Sequence, residues 1–524
     1  MRTLLIAGSL MFTFISSAQS WSDDVAQIVY DKCSKCHHTG GVGPFPMTTY
    51  AETSPMASLI YDAVNLENMP PWPPDNNYQS YVHDRALTPT EKSTLLDWIL
   101  AGTPEGTPAN TPPPPVYNAG SVLGNGDLEV QIPTYMSKAT SSGDDYVCFS
   151  LPSNLPADRK IKAVEIVPGN REIVHHALIF VDPSGASVTD TVGGDCVAPS
   201  SPNAKLIMGY TPGATPLVLP TVAPLKLGMS MQANSQVIFA MHYPAGSYGE
   251  YDSTKVIFHF YPPGETNVRE VYTDPILEKW GFSLPPDQFT SLSTRHPATG
   301  GVPANMSLLS VFPHMHLIGE SMRVYGIQPS TDTLKLINIP HWDFEWQDFY
   351  FFKNIQKLEA GAYLKADAVY NNTSGNTHNP NNPPQTITAG LNTTDEMFMA
   401  YFHYMSYMPG DETYDMEALL DQSTNSLLEE MSDNTWLETY PNPFSKKVTI
   451  FSDKLSPGDV ISVSVYDLNG TLVKRLVSSD IATNSHLQVE WDGTNESGSP
   501  VEKGLYHISV NRNGELSHKK VLRY

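Results

Sequence analysis

The sequence predicts a multidomain chain: a small all-α domain at the front, two all-β domains through the middle and a β-sandwich at the end. Three observations lead there. Up to about residue 106, apolar residues recur at helical spacing, and one segment opens with a complete capping box. From about 126 to 410, short alternating runs broken by Pro, Gly and Asn take over. Past Tyr440, strand-like runs are separated by Asn-Gly turn signals.

At 524 residues the chain is too long for a single core. Its net charge of -24 argues against nucleic acid or an anionic membrane surface as a partner. Residues 1–18 read as a signal peptide: a basic start at Met1-Arg2-Thr3, an apolar stretch over 4–15 and the small-residue end Ser16-Ser17-Ala18. That stretch is too short to span a bilayer, so a soluble, exported mature protein is expected.

Over 21–106 three helices are expected. Ser22 is placed to cap the first, which carries Val25, Ile28 and Val29; the second runs through Met56, Leu59, Ile60 and Val64. The third opens at Thr88-Pro89-Thr90-Glu91, with proline at the first helical position, and closes at Gly102. Residues 107–125, with four prolines from Pro112 to Pro115, form a stiff linker. Runs such as Val237-Ile238-Phe239-Ala240-Met241 then mark all-β sandwich-like domains, divided near 265 into 126–265 and 266–410. Residues 411–438 are acidic and polar, with room for a short helix but no clear core, and read as a linker. The last β domain, 439–524, carries strands at Val448-Thr449-Ile450-Phe451, 461–466 and 505–510.

There are 4 cysteines. Cys33-Ser34-Lys35-Cys36-His37 is the C-x-x-C-H signature of covalent haem attachment. No second cysteine pair exists to complete a zinc site, and a histidine follows directly. Cys33 and Cys36 would anchor a heme c, His37 would supply its proximal nitrogen, and a thioether is expected on the other face. Met69, in Asn68-Met69-Pro70-Pro71-Trp72, is the expected ligand, with Met47 and Met56 as rivals. With its three helices, the segment 21–106 suits a small all-α cytochrome c domain. Cys148 and Cys196 remain, and an oxidising compartment favours a disulfide between them. The loop it closes is worth roughly 4 kcal/mol in the chain-entropy model.

His175-His176, His242, His314-Met315-His316 and Met397 each lie in apolar, β-like surroundings and look like the ligand set of two copper ions. His314 and His316, two apart, project from one strand face. A thioether beside two imidazoles favours Cu(I), which makes His314, His316 and Met397 the candidate catalytic centre. Met399 and His403 share the strand parity of Met397. His175 and His176 face opposite ways in a regular strand, so binding one metal requires a strand end or bulge. With His242 they make a three-nitrogen site. Singly, each histidine is as well explained by packing or by the surface; the ordered set is not.

The stretches Asp145-Tyr146-Val147-Cys148-Phe149 and Val174-His175-His176-Ala177-Leu178, then Met241-His242-Tyr243, His314-Met315-His316-Leu317 and Asp395-Glu396-Met397, resemble the type II copper, ascorbate-dependent monooxygenases. The resemblance covers about 145 to 410. It implies two jelly-roll copper domains. One copper, on His175, His176 and His242, would pass electrons, and the other, on His314, His316 and Met397, would bind oxygen. It also favours Met397 over Met399. Peptide-amidating members place an arginine where this chain has Phe312, and Tyr401 matches a substrate-contacting tyrosine. Asp343-Phe344-Glu345-Trp346-Gln347, Gly43-Pro44-Phe45 and Met69-Pro70-Pro71-Trp72 resemble bacterial relatives that carry a cytochrome module in front. Tyr440-Pro441-Asn442-Pro443-Phe444, Trp491-Asp492-Gly493 and Gly504-Leu505-Tyr506 resemble the C-terminal sorting domain of type IX secretion.

The expected protein is thus a secreted or cell-surface copper monooxygenase that hydroxylates a C–H bond of a small-molecule or peptide-like organic substrate with O2. Two electrons would come from an external donor, an ascorbate-like reductant or a redox protein, relayed by the haem. Secretion machinery would engage the tail. The alternative is a non-catalytic extracellular haem/copper electron-transfer or copper-binding protein.

Overall fold

The computed structural model describes residues 19–524 apart from 116, 118, 119, 142, 197, 198, 200, 434–436, 453, 454, 468–470, 484 and 514. The expected signal peptide and the turn positions Asn469, Gly470 and Gly514 lie outside the described residues. The chain forms two compact units: residues up to 122 with 126–423, and 123–125 with 424–524.

The first unit is built mainly of β-strands. A five-stranded sheet runs in the order Asp190–Asp195, Asp145–Pro152, Gln236–Tyr243, His176–Asp182, Lys205–Tyr210. Opposite it lies a six-stranded sheet centred on Lys255–Phe260 and Arg159–Val167. Phe149, Ile179 and Phe239 from the first meet Val164, Val256 and Phe258 from the second in one core. Burying such a side chain contributes roughly 1.5–3 kcal/mol. Two four-stranded sheets follow, one ordered Tyr272–Glu278, Met399–Ser406, Met306–His314, Tyr350–Leu358 and the other Gln288–His296, Tyr363–Asn372, Gly319–Ile327, Thr333–Ile339. Strand Tyr363–Asn372 shows the driving pattern: Leu364, Ala366, Ala368 and Tyr370 are buried and alternate with less buried neighbours.

The disulfide joins Cys148 to Cys196, with Cα atoms 5.3 Å apart, and ties the strand Asp145–Pro152 to the end of the edge strand Asp190–Asp195. An 18-residue helix, Met416–Asp433, occupies the segment expected as a linker, and its Met416, Leu419 and Leu420 are buried in the first core. Among the described residues no helix is long and apolar enough to cross a membrane.

The front of the chain overturns the expected fold class, a separate all-α cytochrome c domain ahead of two jelly-roll domains and a sorting sandwich. The architecture is rich in β-sandwich, and residues 19–122 hold only short α-helices: Ala26–Lys32, Tyr50–Thr53, Ala57–Asn65 and Pro89–Leu100. The reason is local. Pro70, Pro71, Pro73 and Pro74 exclude helix between the last two. The chain there runs as a loop with a turn at residues 76–78 and pairs instead with the second sandwich. Asp75 N–H donates to Asn338 O (2.8 Å), Lys353 N–H to Ser80 O (3.0 Å) and Val82 N–H to Phe351 O (2.9 Å). Tyr81 is buried beside Tyr350 and Phe352, and its hydroxyl donates to Leu336 O at 2.9 Å. The front therefore shares one compact unit with the sandwiches. The capping box at Thr88 and Glu91 is present in full. The first helix is capped by Ser20, not Ser22, through a wide turn at Trp21–Val25.

The second unit pairs a three-stranded sheet with a four-stranded one around Ile450, Val463, Trp491 and Ile508.

Replacing both Cys148 and Cys196 by serine is expected to lower the unfolding free energy of the first unit by about 2–4 kcal/mol. Denaturant titration under non-reducing conditions measures the shift.

Candidate metal centres

Three histidines meet at one end of the five-stranded sheet. His242 lies directly opposite His176 on one neighbouring strand and opposite Tyr146 on the other, so all three side chains share a face. Tyr146 stacks flat on His242, with ring centroids 4.3 Å apart. His175 precedes the strand His176–Asp182, and its N–H donates to His242 O at 3.1 Å. Leaving the strand there frees the His175 side chain from the opposite face. The Nδ1 atoms of His175 and His242 each lie 3.1 Å from His176 Nδ1.

The outer nitrogens define the protonation. His242 Nε2–H donates to Asp144 Oδ2 (3.1 Å), and His175 Nε2–H to Glu345 Oε2 (2.6 Å). Carboxylates in this position fix the tautomer and raise ligand basicity. The Nδ1 lone pairs of both rings then face His176 Nδ1, and the three histidines stand close enough together to hold one metal ion. His176 Nε2 is buried with no hydrogen-bond partner. Burial, with the neighbouring imidazoles next, holds the His176 pKa well below its ordinary value, so the ring is neutral and ready to bind metal. The donor set fits a metal of the imidazole-preferring kind.

The second group lies on the other sandwich. His314 ends the strand Met306–His314 opposite Met399, and two residues further on the His316 N–H donates to Glu396, the neighbour of Met397. His314 Nδ1–H donates to Gln347 Oε1 (2.6 Å), and His316 Nδ1–H to Asp395 O (3.1 Å). In the neutral rings this leaves each Nε2 with the lone pair a metal needs. Burial lowers the pKa of His314 to about 4 and of His316 to about 3. His403 is elsewhere: its Nδ1 meets Ser310 Oγ at 2.8 Å, and its ring stacks on Phe349.

Sequence reasoning missed the residue that joins the two halves of this group. Glu396 is fully buried, and its carboxylate accepts from the backbone N–H groups of His316 (2.9 Å), Ile318 (2.9 Å) and Met397 (3.1 Å). Burial raises its pKa to about 8 against the pull of those donors. Its position inside Asp395-Glu396-Met397 was the only available signal.

His176 and His242 of the first group and His314 and His316 of the second line one narrow apolar cleft with Phe312, Phe344, Leu178 and Tyr210, and among the described residues no lysine or arginine lines it. Phe344 sits between the groups, 6.2 Å from His176 and 6.0 Å from His316 by ring centroids. Cys33, Cys36, His37 and Met69 line a separate cavity of about 470 Å³ together with the rival Met47, whereas Met56 does not line it. His37 Nδ1–H donates to Phe45 O at 3.0 Å, which leaves Nε2 as the ligand atom. The thiols are free and the walls largely apolar, a set that suits a flat, covalently held organic cofactor.

Comparison with known proteins agrees with the second histidine group. The family described as copper type II ascorbate-dependent monooxygenase, C-terminal domain, matches residues 286–431, and an FlgD Ig-like domain matches 446–515. DBH-like monooxygenase protein 1 of Mus musculus is 25% identical over 291 residues, which are 50% of this chain and 45% of that protein. Dopamine beta-hydroxylase of Canis lupus familiaris is 21% identical over 48% of this chain and 41% of that one. The chain thus spans less than half the length of these relatives. A solved structure of PorZ, a surface component of the type-IX secretion system of Porphyromonas gingivalis, aligns over 17% of this chain and 11% of that one at 21% identity. Its TM-score of 0.13 carries no argument about fold. The segment 286–431 thus matches the C-terminal domain of the copper type II ascorbate-dependent monooxygenases, and the DBH-like relatives are similar to this chain over about half its length.

Proposed function

We propose that this chain is a secreted monooxygenase that hydroxylates a C–H bond of a small, uncharged organic substrate, with copper at His175/His176/His242 and at His314/His316/Met397. The observation that carries the reading is that His176 and His242 share one cleft with His314 and His316, while carboxylate, amide or carbonyl oxygens take one nitrogen each of His175, His242, His314 and His316. When bound, the copper ions supply the one-electron redox chemistry by which dioxygen is split between product and water: R–H + O2 + 2 e⁻ + 2 H⁺ gives R–OH + H2O. The chain's own part is to orient and to exclude. Phe312, Phe344 and Leu178 present an apolar wall to the substrate. No cation there would grip a carboxylate, which disfavours a peptide C-terminus. Glu396 holds the backbone of His316 and Met397 in one frame.

The same proposal gives Cys33 and Cys36 a heme c, which His37 and Met69 would help to hold. Bound haem supplies a reversible one-electron carrier between an external donor, ascorbate-like or a redox protein, and the three-histidine copper. Residues 1–18 would direct export and 439–524 would engage the secretion machinery; the motifs around Tyr440, Trp491 and Tyr506 support that role.

Elemental analysis of haem-loaded, copper-reconstituted protein should find two coppers per iron, falling to about one in His314→Ala. Iron with no specific copper would sink the monooxygenase reading. Met397→Ile should abolish hydroxylation while the haem still cycles between its redox states. Glu396→Gln puts an amide N–H where backbone donors point. It should weaken one of two copper-binding steps by about 10–100-fold and spare the other, as seen in a copper titration.

A further inference from the structure

The cavity beside Cys33 and Cys36 is not closed by the front segment alone. Pro212 and Gly213, from the turn after strand Lys205–Tyr210, form part of its wall, and His175, Asp343, Glu345 and Trp346 form another. The approach is close: a Cβ added at Gly213 would collide with Cys36 Sγ. The volume, about 470 Å³, lies in the roughly 300–1,000 Å³ range of organic-ligand sites.

Glu345 therefore belongs to two places at once. Its Oε2 accepts from His175 Nε2–H at 2.6 Å, and the same residue lines the cavity. His175 in turn lines the cavity and presents Nδ1 to His176 at 3.1 Å. One imidazole thus spans from the cavity wall to the three-histidine cluster. Asp144 makes the equivalent bond to His242 but does not line the cavity.

We propose that Glu345 is a positioning residue for electron entry: its hydrogen bond holds His175 with one nitrogen in the metal cluster and the other at the wall of the Cys33/Cys36 cavity. The proposal rests on the haem and copper assignments above. The step is a single-electron transfer in which ferrous iron is oxidised to ferric and cupric copper is reduced to cuprous, with no bond or proton moved. An external one-electron donor of the ascorbate class restores the ferrous state.

The test uses full-length protein carrying haem and copper. The haem is reduced anaerobically by a light pulse on an added flavin, with a sacrificial amine as the electron donor, and its absorbance is followed. In the native chain, haem reoxidation should require copper. In Glu345→Gln, with haem and copper content unchanged, it should slow by about tenfold or more, and the cupric EPR signal of the three-histidine site should change. Glu345→Asp should recover part of the rate. An unchanged rate in fully loaded Glu345→Gln overturns the proposal. A native chain that carries no haem overturns the haem assignment itself, and a loaded native chain whose haem is not reoxidised overturns the relay; both are distinguishable from failure of Glu345 alone.

Discussion

The register of strand Gln236–Tyr243 decides both the core and the site. Val237, Phe239 and Met241 point into the first sandwich and are essentially excluded from water. The alternate residues end in His242, on the opposite face, where the pairing sets it between His176 and Tyr146. A slip of one residue would turn the imidazole into the core and Met241 out of it. An imidazole buried there without partners costs several kcal/mol. The hydrophobic pattern that folds the sheet therefore also fixes the position of an imidazole of the three-histidine group, and the disulfide anchors the neighbouring strand that carries Tyr146.

Neutrality is the second condition. A cluster of imidazoles binds a metal only if none is protonated. Burial holds His176, His314 and His316 neutral well below physiological pH, while Asp144, Glu345, Gln347 and the Asp395 carbonyl choose which nitrogen keeps its lone pair. The inward nitrogen is Nδ1 in the first group and Nε2 in the second. That difference follows from where the acceptors stand, not from the histidines themselves.

Much of this was legible in the chain where the signal is local. The capping box at Thr88 and Glu91, the paired Cys148 and Cys196, and the alternation of Tyr363–Asn372 all act within a few residues or by elimination. The order of His175, His176, His242, His314 and His316 could be read, but their two separate convergences depend on strand pairings across long loops. The front was misread because helix signals are short-range and edge pairing is not. Nothing local in residues 75–82 says that they will hydrogen-bond to Asn338 and Phe351. Asp144, Glu345 and Glu396 were equally hidden, since an acidic residue gains its role only from the imidazole or backbone amide it meets. The short helix allowed within 411–438 proves to be 18 residues long, and its apolar face is recognisable only against the core it covers.

Phe344 lies edge-on to His176 and to His316, one ring touching both groups. A hydrocarbon wall there offers no oxygen, nitrogen or sulfur to bridge two metal ions. Ions held on either side would share no ligand and would behave magnetically as isolated spins, with no exchange coupling between them. The two groups would also fill independently, each with its own affinity. Such a protein would handle electrons one at a time from physically separate stores, and the timing of their meeting would depend on the substrate in the cleft.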